Sequence, residues 1–240
     1  MLHIGILGHS ADGSALCYLE IVRESARVLG DHQHPELTMS LLPMGPTIPW
    51  WEANDLDKID THLRATAQRL ADAGCDFFVC PDNTAHLALD SASEPYPLPG
   101  LHICDVVASK AKSEGRKRVA LLGTKYTMEG AAYRTAFARH GLDMRIPNAA
   151  DRTLMNTIIF DELCMGKFTQ RSTAEFLRVI ETLRGEGCDA VALSCTEIPL
   201  IVTPENSPLP TLDSTRLLAH AAVAVATGRA PPPSWRGGAL

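Results

Sequence analysis

At 240 residues the chain is long enough for one large or two small cores, and its 45% hydrophobic and 21% charged residues exclude disordered and fibrous classes. A net charge of −6 argues against nucleic acid as the main partner. The opening MLHIGILGHSADG has no basic leader, and no segment approaches about 18 uninterrupted apolar residues, so a cytoplasmic protein without membrane association is expected.

Short apolar runs alternate with longer amphipathic stretches, the pattern of βαβ units and a mostly parallel sheet. In chain order the first half reads as a strand at His3–Leu7, a helix at Ser14–Leu29, a strand at Leu37–Leu41, a loop around Trp50–Asp57, a helix at Leu56–Ala73 and a strand at Phe77–Cys80. A Pro-rich loop comes next at Ser93–Gly100. The second half reads as a strand at Arg118–Leu122, helices at Thr127–His140 and Thr173–Arg184, a strand at Ala190–Leu193 and a helix at Ser214–Ala226. From Pro231 the tail PPPSWRGGAL cannot hold regular structure and reads as a surface strap or frayed end. Seven cysteines, an odd number at scattered spacings, suit buried thiols better than a disulfide framework.

Two segments share a helix end, a Gly-Cys-Asp turn, an apolar strand and a polar switch: AGCDFFVCPDNTAH from Ala73 and EGCDAVALSCTEIP from Glu186. Asp82 and Cys195 occupy the same place relative to Gly74 and Gly187, and Asn83 falls opposite Thr196. Ile4-Gly5-Ile6-Leu7-Gly8 also matches Val119-Ala120-Leu121-Leu122-Gly123 in kind. Gly8 lies 74 residues before Asp82 and Gly123 lies 72 before Cys195. The spacing predicts two pseudo-symmetric α/β domains, residues 1–98 with 213–240 and residues 99–212, with Asp82 and Cys195 on opposite walls of a cleft between them.

Both matched residues come after a strand and before an expected helix, where open α/β sheets place ligands and where unpaired N–H groups favour a carboxylate. Asn83, Thr84 and Thr196 would add donors there, although such residues commonly serve only as helix caps. A helix N-terminus beside Cys195 would draw its thiol down from about 8.5 towards neutrality, the useful range for proton transfer. No His/Asp/Glu cluster has metal-ligand spacing, and the glycines match neither dinucleotide-binding nor P-loop patterns.

The stretches Asp82-Asn83-Thr84-Ala85-His86 and Ser194-Cys195-Thr196-Glu197-Ile198-Pro199 resemble the two motifs of the aspartate/glutamate racemase superfamily, with aspartate where the first motif usually carries cysteine. The resemblance extends over nearly the whole chain, including Leu121–Thr124 and Thr211-Leu212-Asp213. It implies a pyridoxal-independent isomerase of amino-acid metabolism, without cofactor or metal, in which two acid/base groups serve opposite faces of a substrate α-carbon. It also implies that Thr124, Thr127 and Lys167 help hold a small-molecule carboxylate substrate; a solvated surface lysine is the plain alternative for Lys167. A homodimer is compatible with this reading.

Three features depart from the pattern. A carboxylate of about 3.9 facing a thiol of about 8.5 primes one direction of transfer, unless burial raises Asp82 and narrows the gap; His9 and His86 are candidates to tune it. Cys80, two residues earlier, is a weaker choice for the first acid/base group because the repeat register selects position 82. The segment Pro43–Trp51 lacks the arginine that clamps a side-chain carboxylate in aspartate-specific relatives, and its paired tryptophans suit either an apolar pocket or core packing. The first loop also lacks the relatives' Gly-Met-Gly/Ser-Pro run. The competing readings are a one-cysteine decarboxylase or cis-trans isomerase of the same superfamily, and a non-catalytic carboxylate-binding relative.

Overall fold

In the computed structural model, which describes residues 1–238, Gly74 and Gly187 take left-handed φ values of 81° and 90° at the ends of two long helices. Each closes its helix by the same pair of bonds. Gly74 N–H donates to Ala71 O at 2.9 Å and Cys75 N–H to Leu70 O at 3.1 Å, while Gly187 and Cys188 repeat this onto Arg184 and Leu183 at 2.9 and 3.1 Å. A residue with a Cβ would be strained at this capping position. The next residue, an aspartate in both copies, pins the neighbouring strand: His3 N–H donates to Asp76 Oδ2 at 2.7 Å, and Lys117 N–H to Asp189 Oδ2 at 2.8 Å. The cysteine between glycine and aspartate is buried in each copy, and burial pushes both thiols up to about 11. The repeated tripeptide is thus a cap, a core residue and a strand anchor.

The chain divides into two units, Met1–Val106 with the chain from Thr215 onward, and Val107–Ser214. In the first run β1 (Ile4–Gly8), α1 (Ala11–Leu29), β2 (Leu37–Leu41), α2 (Ile48–Glu52), α3 (Leu56–Asp72), β3 (Phe77–Val79), α4 (His86–Ser91) and β4 (Gly100–Leu101). The division falls inside α5 (Ile103–Ser113). The second unit holds β5 (Arg118–Gly123), α6 (Lys125–Glu129), α7 (Ala131–Arg139), β6 (Asp143–Arg145), α8 (Ala149–Asp161), α9 (Gln170–Gly185), β7 (Ala190–Ser194) and β8 (Thr211–Asp213). α10 (Ser214–Ala226) returns to the first unit, where Leu2 N–H donates to Ala226 O at 2.9 Å.

Each unit carries a four-stranded, all-parallel sheet of the same order, β2-β1-β3-β4 and β6-β5-β7-β8. The inner strands β1 and β7 are buried at every position, as strands covered on both faces must be. In the first unit Leu7 and Phe78 share a core with Ile59, Leu63, Ala67 and Leu70 of α3. In the second, Leu122 and Val191 share one with Ile158 and Ile159 of α8 and Phe176, Val179 and Ile180 of α9.

Several elements differ from the sequence expectation. The expected helix at Thr127–His140 is two, α6 and α7, because Gly130 stands between them with extended backbone, φ −71° and ψ 169°. The stretch around Trp50 is not a loop: a 3-10 turn at Gly45–Thr47 runs into α2. β4, β6 and β8 are edge strands of two or three residues, too short to show a period. α5 and α8 also lie where no helix was expected; in α8 the run Thr157-Ile158-Ile159-Phe160 has the β-branched and aromatic character of a strand. No helix among the described residues is long and apolar enough to cross a membrane.

Up to Gly238, the last residue described, the tail is a docked strap; Ala239 and Leu240 lie outside the described residues. Trp235 forms an antiparallel bridge with Gly100, and its ring stacks on His86 with centroids 5.5 Å apart and meets His102 edge-on at 4.7 Å. Arg236 donates to the carbonyls of Ala92 and Asp90 at 2.6 and 3.0 Å, and a Cβ on Gly237 would come within 2.1 Å of the Leu98 backbone. Replacing Trp235 by alanine is therefore expected to destabilise the protein by about 2–3 kcal/mol, less than a fully buried aromatic because the ring is half-buried. In thermal unfolding this reads as a Tm lower by roughly 4–12 °C; an unchanged Tm would mean the strap adds nothing.

Candidate active site

Parallel register decides which side chains meet at the carboxyl ends of the inner strands. Ile6 of β1 is the partner of Val79 in β3, so the chain continuing past both strands brings His9 beside Asp82. Gly123 of β5 is the partner of Ser194 in β7, so Thr124 and Cys195 leave neighbouring strands side by side. His9 and Asp82 in one unit thus correspond to Thr124 and Cys195 in the other.

In the first unit His9 Nδ1 lies 2.6 Å from Asp82 Oδ2, and Asp82 Oδ1 accepts from Ala85 N–H at 3.1 Å. The Asp82 side chain keeps 12% of its exposure while that of His9 keeps 2%. Desolvation pushes the Asp82 carboxyl up, but the field and hydrogen bond of His9 and the Ala85 N–H outweigh it and hold the group below the usual carboxylate range. Asp82 therefore stays on the carboxylate side of the unequal pair, and burial does not narrow its gap to the thiol. His86 bonds the backbone rather than the carboxylate: its Nδ1 lies 2.9 Å from Asp82 O, and its Nε2 accepts from Ile103 N–H at 3.2 Å. Burial, reinforced by His102, pushes His86 down to about 3, so it is neutral and carries its proton on Nδ1. Asn83 and Thr84 sit on this turn, Asn83 buried and Thr84 half-buried. Neither caps α4, whose capping position is Ala85; Asp82 itself ties the turn. Cys80 is wholly buried, and desolvation and Asp82 push its thiol up.

In the second unit Thr124 caps α6 by accepting from Thr127 N–H at 3.2 Å, and the two hydroxyls lie 3.2 Å apart, both buried. Half-buried Cys195 donates its S–H to Glu197 Oε2 at 2.9 Å. Burial, then the charge and hydrogen bond of Glu197, push this thiol well above its ordinary value of 9.0. The expected drop towards neutrality is overturned for two reasons. Cys195 leads into a three-residue 3-10 turn, Ile198–Leu200, with no helix dipole to speak of, and the nearest charge is a carboxylate. Thr196 is buried beside Cys195 but does not cap the turn, whose capping position is Glu197. Lys167 is exposed past the left-handed Gly166, and among the described residues its side chain makes no hydrogen bond or ion pair.

Two partners were not expected from the sequence. Glu197 stands in the second motif, two residues from Cys195, and could have been read from it. The Trp51 indole N–H, which donates to His9 Nε2 at 3.4 Å, has no local sequence signal. Trp50 and Trp51 pack against the first unit's core.

The profile of the family described as Asp/Glu/Hydantoin racemase matches residues 4–222. A broad-specificity amino-acid racemase of Bacillus subtilis is 24% identical over 169 residues, 70% of this chain and 73% of that protein. Among solved structures, a Yersinia pestis protein assigned to the Asp/Glu racemases superposes with a TM-score of 0.86 at 30% identity, covering 95% of this chain and all of that one. An aspartate racemase homologue from Pyrococcus horikoshii gives 0.77 at 27% identity, with the same coverage.

Proposed function

The chain belongs to the Asp/Glu/Hydantoin racemase family, and from that premise we propose that it racemises or epimerises an amino acid or related small carboxylate without a cofactor. The observation that carries this reading is the matched placement of Asp82 and Cys195 at corresponding strand ends of two like-ordered sheets. Each exchanges a proton with one face of the substrate α-carbon, Asp82 resting as carboxylate and Cys195 as thiol. The hydroxyls of Thr124, Thr127, Thr84 and Thr196, the Asn83 amide and the Lys167 ammonium hold the substrate carboxylate. The segment Pro43–Trp51 contains no arginine, so a second substrate carboxylate has no clamp there, and neutral amino acids are the preferred class.

A second reading, in which Cys195 works alone as in a one-cysteine decarboxylase or isomerase, draws on the commitment of both Asp82 oxygens to His9 and Ala85. One experiment separates the two. Each enantiomer of the common amino acids is incubated in deuterated water, with deuterium at the α-carbon, inversion and carbon dioxide all measured. Deuterium uptake with inversion and no loss of carbon dioxide is expected, faster for neutral amino acids than for aspartate. Carbon dioxide release, or no exchange with any amino acid, would overturn the proposal.

A further inference from the structure

Asp82 is held by a histidine whose far nitrogen is itself held. His9 is nearly buried at the end of β1, with Nδ1 against Asp82 Oδ2 at 2.6 Å. Its Nε2 receives the Trp51 Nε1–H at 3.4 Å, the two rings meeting edge-on with centroids 5.8 Å apart. An indole nitrogen only donates, so in this arrangement His9 Nε2 accepts and the ring proton resides on Nδ1, pointing at Asp82. Thr47 Oγ1 lies 3.3 Å from the same Nε2, but its hydroxyl hydrogen is committed to Met44 O at 2.7 Å. Thr47 can therefore only accept from His9, and only once Nε2 carries a proton. The indole and the hydroxyl, both on the turn from Met44 through α2, make opposite demands on one nitrogen.

We propose that Trp51 is a positioning residue for Asp82: its indole N–H keeps His9 in the Nδ1–H form, so that His9 donates to the carboxylate and cannot itself take up the proton that Asp82 removes. This rests on the racemase reading for its catalytic consequence, but not for its geometry. The ionisable groups facing His9 are Asp82 from the turn after β3 and His62 from α3; behind Asp82 stand Cys80 and His86. With His9 so held, Asp82 rather than His9 is the base at this strand end, and one oxygen of the carboxylate is fixed in direction by His9 and the other by Ala85.

The test uses the full chain with 15N-labelled histidine. In the unaltered protein at pH 7, the His9 ring is expected to show a protonated Nδ1 and an unprotonated Nε2. Trp51→Phe keeps an aromatic ring but removes the donor, and the Nε2 signal is then expected to move towards the protonated range as Thr47 becomes its acceptor. Nε2 already protonated in the unaltered protein, or no movement in Trp51→Phe, overturns the proposal, whatever the protein's activity. A paired measurement covers a variant that folds poorly. Asparagine places an N–H where Nδ1 stands and glutamine does not, so His9→Asn should retain at least tenfold more α-proton exchange than His9→Gln, with the difference in kcat rather than KM. Equal exchange in the two would overturn the donor role. Absence of exchange in the unaltered protein would instead strike the racemase reading and leave the nitrogen spectra as the deciding result.

Discussion

Replacing Cys195 by serine is expected to lower racemisation by about two to four orders of magnitude, the usual contribution of a positioned acid or base, with no change in the far-ultraviolet spectrum. The S–H already donates to Glu197 at 2.9 Å, a bond that a hydroxyl can also make, so the fold has little reason to change. What is lost is acidity. The thiol sits well above its ordinary 9.0, raised by burial and by Glu197, yet remains far easier to ionise than an alcohol. Turnover of the serine variant within a few fold of the unaltered protein would remove Cys195 from the chemistry.

Replacing Asp82 by asparagine is expected to abolish inversion, a loss of at least about a hundredfold, while leaving slow exchange without inversion at the face that Cys195 serves. The pH dependence distinguishes one base from two. In the unaltered protein a carboxylate held low and a thiol held high leave Asp82 ionised and Cys195 protonated across the neutral range, so inversion should be flat there. In the asparagine variant only thiolate can remove the substrate proton, so residual exchange should rise about tenfold per pH unit and still be rising at the ordinary thiol value of 9.0. The equilibrium constant between enantiomers is one, which forces kcat/KM to be equal in the two directions. The unequal acidities of Asp82 and Cys195 can therefore show only as unequal kcat values offset by KM. Inversion persisting unchanged in the asparagine variant would make Asp82 a structural replacement and favour Cys195 alone.

Much of the fold was legible because its signals are local. The five expected strands are present, the two Gly-Cys-Asp turns mark real helix ends, and the all-parallel character is implicit in the alternation of short apolar and long amphipathic runs. What escaped was mostly short or ambiguous: three edge strands with no room for a period, the break at Gly130, and the β-like run inside α8, with α5 the one longer element missed besides. The tail from Pro231 read as a surface strap or a frayed end, and only its distant partners decide for the strap: Trp235 is ordered by rings at positions 78, 86 and 102.

At the candidate site, spacing along the chain is enough to place Asp82 and Cys195 at strand ends and to mark the motifs around them, since the repeat and the length of each βα unit are one-dimensional properties. The acidities are not. On sequence alone, Asp82 reads as a carboxylate near its reference value that burial could only raise, and a helix end would draw Cys195 down. Asp82 is instead held down by His9, 73 positions away, and Cys195 is pushed up by burial and by a neighbour that needed a particular turn to swing its carboxylate within 2.9 Å. A pKa answers to the charges and hydrogen bonds within a few ångströms in space, and which groups supply them is settled by strand register and loop geometry.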